Sequence, residues 1–125
     1  MATRRGFVAL CVALVVVAAP LLAWASHDSF KGDAIYYSNI YKGETMACGG
    51  KYQPWKMVAA HRKLPCGTRL RVRNLANDKV VTVTVRDRGP YGDSETKLDV
   101  SRRAAKKLDF ISAGRARVKA TILHD

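Results

Sequence analysis

Three stretches of strict two-residue alternation constrain this chain more than any other feature. From Arg69 to Asn74, Leu70 and Val72 point one way and Arg69, Arg71 and Arg73 the other. From Lys79 to Asp87, Val81, Val83 and Val85 share a face opposite Thr82, Thr84 and Arg86. From Arg115 to Leu123, Ala116, Val118, Ala120 and Ile122 alternate with Arg115, Arg117 and Lys119. A period of two sends alternate side chains to opposite faces of a strand, so each stretch reads as a half-buried β-strand. Asn77-Asp78 between the first two is a turn signal, which makes that pair a hairpin. Ala34–Ser38 reads as a further strand, Ser26–Asp33 as a polar leader, and residues 39–56, with three Gly and one Pro, as a long loop. Met57–His61 is a short apolar run. Arg102–Leu108 reads as a helix with Ser101 as its N-cap, and Gly114 marks the turn before the last strand. Several short strands and one short helix favour a small, mainly β barrel over a sandwich or a βαβ sheet.

The N-terminal segment reads as a secretory signal rather than as part of the fold. Arg4 and Arg5 precede an apolar run from Phe7 to Leu22, and Ala23-Trp24-Ala25 fits a small-x-small cleavage pattern. The competing reading is an uncleaved membrane anchor. Leu10 precedes Cys11 where a lipidation signal needs Gly or Ala, so the expected mature protein is not lipidated. Removal of residues 1–25 lowers the formal charge from +12 to +10, because only Arg4 and Arg5 are lost. Export points that charge toward a cell-wall glycan or another anionic surface rather than toward nucleic acid. Outward-facing strand cations also discourage edge-to-edge association. Two cysteines then remain, Cys48 and Cys66. In an oxidising compartment an even pair reads as a disulfide. A metal site with His61 between the thiolates is the alternative, but it lacks a fourth ligand and a C-x-x-C knuckle.

Two titratable residues sit where strand-like runs break into turns: His61 in Ala59-Ala60-His61-Arg62, and Asp87 in Val85-Arg86-Asp87-Arg88-Gly89-Pro90. Strand parity carries Asp87 on the inward series of Val81, Val83 and Val85. A carboxyl group at the inner end of a strand is partly withdrawn from water, the setting in which carboxyls act as general acids. The plainer alternatives are an Asp that accepts turn hydrogen bonds and a His satisfied within a turn. Asp99, just before Ser101, is placed either to cap the helix start or to line the same cleft.

Taken in order, several pieces closely resemble the rare lipoprotein A (RlpA) family. They are Thr45 to Gly49 (Thr-x-Ala-x-Gly), Ala59-Ala60-His61 with Leu64-Pro65 and Gly67-Thr68, Val72-Arg73-Asn74-Leu75, Asp87-Arg88-Gly89-Pro90, and Leu98-Asp99-Val100-Ser101. The resemblance runs from about Ala34 to Leu123. It implies a six-stranded double-psi β-barrel over residues 34–125, binding of peptidoglycan glycan strands, and lytic transglycosylase activity without metal or cofactor. It further implies that Asp87 is the catalytic acid/base and that His61 supports it. A Glu normally follows the Ala-x-Gly of the loop; here Gly50 stands there, with Glu44 nearby in sequence.

A single carboxyl suits this chemistry. Glycosidases use two, whereas a lytic transglycosylase attacks with the sugar's own C6 hydroxyl, and proximity replaces the second carboxylate. Tyr36, Tyr37, Tyr52 and Trp55 are candidates to stack on sugar faces, with core packing the expected role for at least two of the four. Arg88 and Asp99 complete the expected substrate-binding set. The leading expectation is a monomeric, periplasmic or wall-associated transglycosylase. The alternatives are an expansin-like wall-binding barrel, favoured by Gly50, and a hydrolytic glycanase using Asp87 with Asp99.

Overall fold

A computed structural model describes residues 28–124; the expected signal segment and Cys11 lie outside them. Six strands form a closed barrel: β1 (Ser29–Tyr36), β2 (Val58–Ala60), β3 (Arg69–Asn74), β4 (Val80–Asp87), β5 (Thr96–Val100) and β6 (Ala116–Leu123). Their order around the barrel is β1-β5-β2-β4-β3-β6. β1 with β5 and β2 with β4 are parallel, and the remaining neighbours are antiparallel. One helix, α1 (Arg102–Lys107), separates β5 from β6. This is the small, mainly β barrel with one short helix that the alternating runs predict, and its six strands are those the family resemblance implies.

The apolar residues of those runs fill the barrel. Leu70, Val72, Val81, Val83, Val85, Val118 and Ala120 are buried in one cluster with Leu98, Val100 and the α1 residues Ala104 and Ala105. The arginines between them face out. The β3–β4 hairpin forms as expected, with Asp78 at φ 64° in its turn. Ser101 caps α1, its side chain accepting from the Ala104 N–H. Asn74, at the inner end of β3, is buried because its amide donates to the Leu108 carbonyl and its oxygen accepts from the Ala76 N–H.

Two elements differ from expectation. β1 begins at Ser29, so residues 29–33, expected as a loose leader, form its first half against Arg117–Thr121 of β6. Their polarity reflects an outward face rather than a lack of structure. Gly32 is required in this half: a Cβ there would lie 2.1 Å from the Lys97 Cγ. β5 carries no long alternation signal, since Thr96, Leu98 and Val100 face inward on a strand of only five residues.

A second, smaller core lies on the other face of β2. Val58 and Ala60 pack there with Tyr37, Met46 and Tyr52, whereas Ala59 belongs to the barrel interior. The loop after β1 thus folds over the outside of β2. Within it, residues 43–52 form a hairpin held by Gly43 N–H to Tyr52 O, Tyr52 N–H to Glu44 O, and Met46 N–H to Gly50 O.

Candidate active site

The register of β2 against β4 decides where Asp87 points. Val58 pairs with Thr84 and Ala59 with Val85, but Ala60 pairs with Asp87, which leaves Arg86 as an extra residue. Such a bulge re-aims the side chains that follow it. Ala59 and Val85 face the barrel interior; Ala60 faces the second core, and Asp87 with it. The parity expectation that Asp87 ends the inward series is therefore corrected. Asp87 opens onto the outer face, beside the loop residues Glu44, Thr45 and Met46.

Three donors converge on its carboxylate. The Tyr37 hydroxyl donates to Oδ2 at 2.5 Å, and the N–H groups of Ala47 and Arg88 donate to Oδ1 at 2.7 and 2.9 Å. Burial, reinforced by the bond to Asp87, pushes the Tyr37 hydroxyl far above the ordinary phenol range, so it stays a donor. Tyr37 and Tyr52 stack at 4.3 Å between ring centroids. They wall a cleft of about 440 Å³ shared with Tyr41, Glu44, Thr45, Met46 and Asp87.

Asp99 lies behind this wall. On β5 it pairs with the same Ala60 that pairs with Asp87, so the two carboxyls stand level on the two strands that flank β2. Its Oδ1 is buried with no hydrogen-bond partner. Burial first, and the Asp87 charge second, push it up to about 7. One carboxyl is thus held by donors in the cleft while its neighbour retains a proton near neutrality, a division of environments typical of acid/base sites. Asp99 does not cap α1; Ser101 does.

His61 does not meet the Asp87 carboxylate. Its backbone N–H donates to the Asp87 carbonyl at 3.2 Å, but the imidazole lines a separate groove with Arg62, Lys63 and Lys97. There Nδ1 accepts from the N–H groups of Lys63 and Leu64, both at 3.0 Å, which places the ring proton on Nε2. Burial, then Arg88 and the neighbouring cations, hold the imidazole below its ordinary value, so it is neutral at pH 7. Its visible work is to shape the 61–64 turn.

Arg88 works on the same turn rather than on the cleft. Its guanidinium donates to the carbonyls of His61 and Leu64, at 3.2 and 2.8 Å, and approaches the Cys66 sulfur. Tyr36 also points away from the cleft: its hydroxyl donates to the Ile111 carbonyl and its ring meets Phe110 edge-on. Of the four aromatic candidates, Tyr37 and Tyr52 are buried as cleft wall, and Trp55 is 54% exposed on a neighbouring groove.

Cys48 and Cys66 form the expected disulfide, which consumes both thiolates of the alternative metal site. It ties the tip of the 43–52 hairpin to the turn braced by Arg88. Together with the Cys48 N–H to Arg86 carbonyl bond, at 3.0 Å, it fixes the hairpin next to the Ala47 N–H that serves Asp87.

The sequence reading assigned no role to several cleft residues. Tyr41 carries no motif signal, and Thr45 and Met46 enter only as part of the Thr-x-Ala-x-Gly run. Glu44 brings a second carboxyl to the cleft from the hairpin arm opposite Gly50. The paired glycines Gly49 and Gly50, both with positive φ, are the turn signal of that hairpin within a run that reads in sequence only as a long loop.

A family model described as lytic transglycolase matches residues 30–120. The chain belongs to this RlpA-like double-psi β-barrel family. Over 88 residues it is 44% identical to the endolytic peptidoglycan transglycosylase RlpA of Pseudomonas aeruginosa strain UCBPP-PA14, covering 70% of this chain and 26% of that protein. It is 37% identical over 96 residues to the protein of the same description from Campylobacter jejuni, covering 77% of this chain and 34% of that one. The chain therefore spans about a quarter to a third of these relatives' length. Among solved structures, an apo expansin of Clavibacter michiganensis superposes with a TM-score of 0.62 at 26% identity, covering 78% of this chain and 51% of that one.

Proposed function

We propose that this protein is an exported peptidoglycan lytic transglycosylase that cuts within glycan strands and leaves 1,6-anhydro ends. The observation that carries the reading is Asp87: a carboxylate held by three donors at the wall of an open cleft, on a barrel whose relatives are described as endolytic peptidoglycan transglycosylases.

In the proposed reaction, the Asp87 carboxylate takes the proton of the C6 hydroxyl as that oxygen attacks C1 of the same sugar, and delivers it to the glycosidic oxygen as the bond from C1 to that oxygen breaks. No water enters, and the enzyme ends in its starting protonation state. Tyr37 and Ala47 keep the carboxylate oriented throughout, which is how a single group serves both steps. Asp99 is a positioning residue: protonated, it spares Asp87 a second negative charge nearby. His61 and Arg88 are positioning residues too, acting through the turn and the disulfide. Cleavage of a signal after Ala25, absence of lipidation, a periplasmic or wall location and a monomeric state without nucleic-acid, metal or cofactor partners belong to the same proposal.

An expansin-like, non-cleaving wall binder is the second reading, and Gly50 at the family Glu position favours it. Glu44, which lines the cleft beside Asp87, supplies a carboxyl there without it. The test is digestion of purified, peptide-stripped glycan strands with mass analysis of products. Anhydro ends support the transglycosylase. Reducing ends support hydrolysis by Asp87 with Asp99, and binding without product supports the wall binder.

A further inference from the structure

A second groove, of about 280 Å³, opens beside the cleft and is lined by Pro54, Trp55, Arg102, Arg103 and Lys106. Its composition is unlike that of the cleft. One wall is the Trp55 indole, half exposed and with the Lys42 ammonium 5.6 Å from its centroid, and the other is a cluster of cations from α1. Arg102 and Lys106 stand four residues apart and Arg103 and Lys106 three apart, so they share a helix face. Among the described residues none of the three has an acidic partner, whereas Arg115 and Arg117 pair with Asp33 and Glu95. Arg103 is positioned by donating to the Trp55 carbonyl at 3.2 Å. The Arg102 guanidinium lies over the Tyr36 ring, 5.7 Å from its centroid. Lys106 is exposed and uncommitted.

The groove is tied to the cleft. Residues 52–55 start at the cleft wall with Tyr52 and end at Trp55, and the Arg102 N–H donates to the Tyr52 hydroxyl at 3.1 Å. A chain lying along the cleft past Tyr52 arrives at an aromatic face beside unpaired cations. Sugar rings pack on aromatic faces through their C–H bonds, and guanidinium and ammonium groups recognise carboxylates. A neutral glycan would use the indole and leave the cations idle.

We propose that this groove is a subsite for carboxylate-bearing amino-sugar strands: Trp55 packs against a sugar ring, and Arg103 and Lys106, with Arg102, bind a carboxylate carried by the strand. The inference rests on the glycan-strand reading of the cleft and assigns its selectivity for acidic over neutral strands.

The test measures binding, whether or not product forms, with the whole exported protein and three probes. These are peptide-bearing peptidoglycan strands, peptide-stripped strands that keep the carboxylate of the sugar itself, and neutral chitin oligosaccharides. The double variant Arg103→Gln/Lys106→Gln is expected to bind acidic strands about fivefold more weakly at low salt, a modest factor because the cations are exposed. The loss should shrink as salt rises. Chitin oligosaccharides should bind both proteins equally. Whichever acidic strand shows the loss identifies the carboxylate, on the sugar or on the peptide. Trp55→Ala should weaken all three probes. Lys106→Glu, at an exposed position without contacts to lose, should reproduce the acidic-strand loss in a folded protein. Equal losses on chitin and acidic strands in Arg103→Gln/Lys106→Gln or Lys106→Glu, or no loss on either in those variants, would overturn the proposal. Strands bound through these cations but never cut would refute the catalytic reading and leave this one standing. Cutting that ignores all of these variants would do the reverse.

Discussion

Replacing Asp99 with Asn isolates the cost of a buried charge next to Asp87. The Asp99 carboxyl is pushed from 3.8 up to about 7 in the folded protein. Between those values the folded state keeps a proton that the unfolded chain releases, so stability falls as pH rises across the window and levels off above it. At 1.36 kcal/mol per pH unit the full gap corresponds to about 4 kcal/mol. Local rearrangement and residual structure in the unfolded chain relieve part of this, leaving an expected 1–3 kcal/mol, roughly. Asn keeps the shape and the neutral state. The variant should match the wild type near pH 4 and be the more stable protein at pH 8 by that margin. Urea unfolding of both proteins at pH 4.5, 6 and 8 reads it directly. Asp87→Asn, which removes only the smaller cause, should reduce the pH slope without abolishing it. Identical slopes for wild type and Asp99→Asn, or an Asn variant less stable at pH 8, would refute the placement of a buried, proton-bearing carboxyl there.

Other expectations follow from the same geometry. Tyr37→Phe removes one of three donors from the Asp87 carboxylate while preserving the stack on Tyr52. Turnover on glycan strands should fall about tenfold or more, as for other hydrogen bonds to charged groups, with thermal stability nearly kept. Joint replacement of Cys48 and Cys66 with Ser opens a loop spanning 18 residues and should cost about 3 kcal/mol in denaturant unfolding. It should also reduce turnover, because the Ala47 N–H is no longer pinned against Asp87. Ser101→Ala should cost about 1 kcal/mol of stability through the lost cap, with no change in product chemistry.

The barrel was legible wherever one strand face is buried and the other is wet. β3, β4 and β6 announce themselves because Leu70, Val81 and Val118 alternate with exposed Arg and Thr. The helix was legible through Ser101. The first half of β1 was not, because its pairing with β6 is a tertiary fact that a polar run such as Ser29–Asp33 does not advertise. The site was legible by residue and not by geometry. Asp87 was identifiable, but its direction depends on one extra residue, Arg86, set by the register against β2. The pairing of Cys48 with Cys66 was readable from their number and the expected export signal. That Arg88 and the His61 ring serve a turn rather than the cleft was not, since a cation or imidazole at a strand end reads the same whether it faces substrate or its own backbone. Asp99's partnership with Asp87 is likewise invisible in sequence, because it passes through Ala60 on a third strand.

The central claim is that Asp87 performs acid/base chemistry on a glycan strand. Its most direct test is digestion of peptide-stripped peptidoglycan strands by the wild type and by Asp87→Asn, side by side, with products resolved by mass spectrometry. The account predicts 1,6-anhydro ends from the wild type and none above background from the variant, with strand binding retained by both. Anhydro products released equally by Asp87→Asn would contradict it.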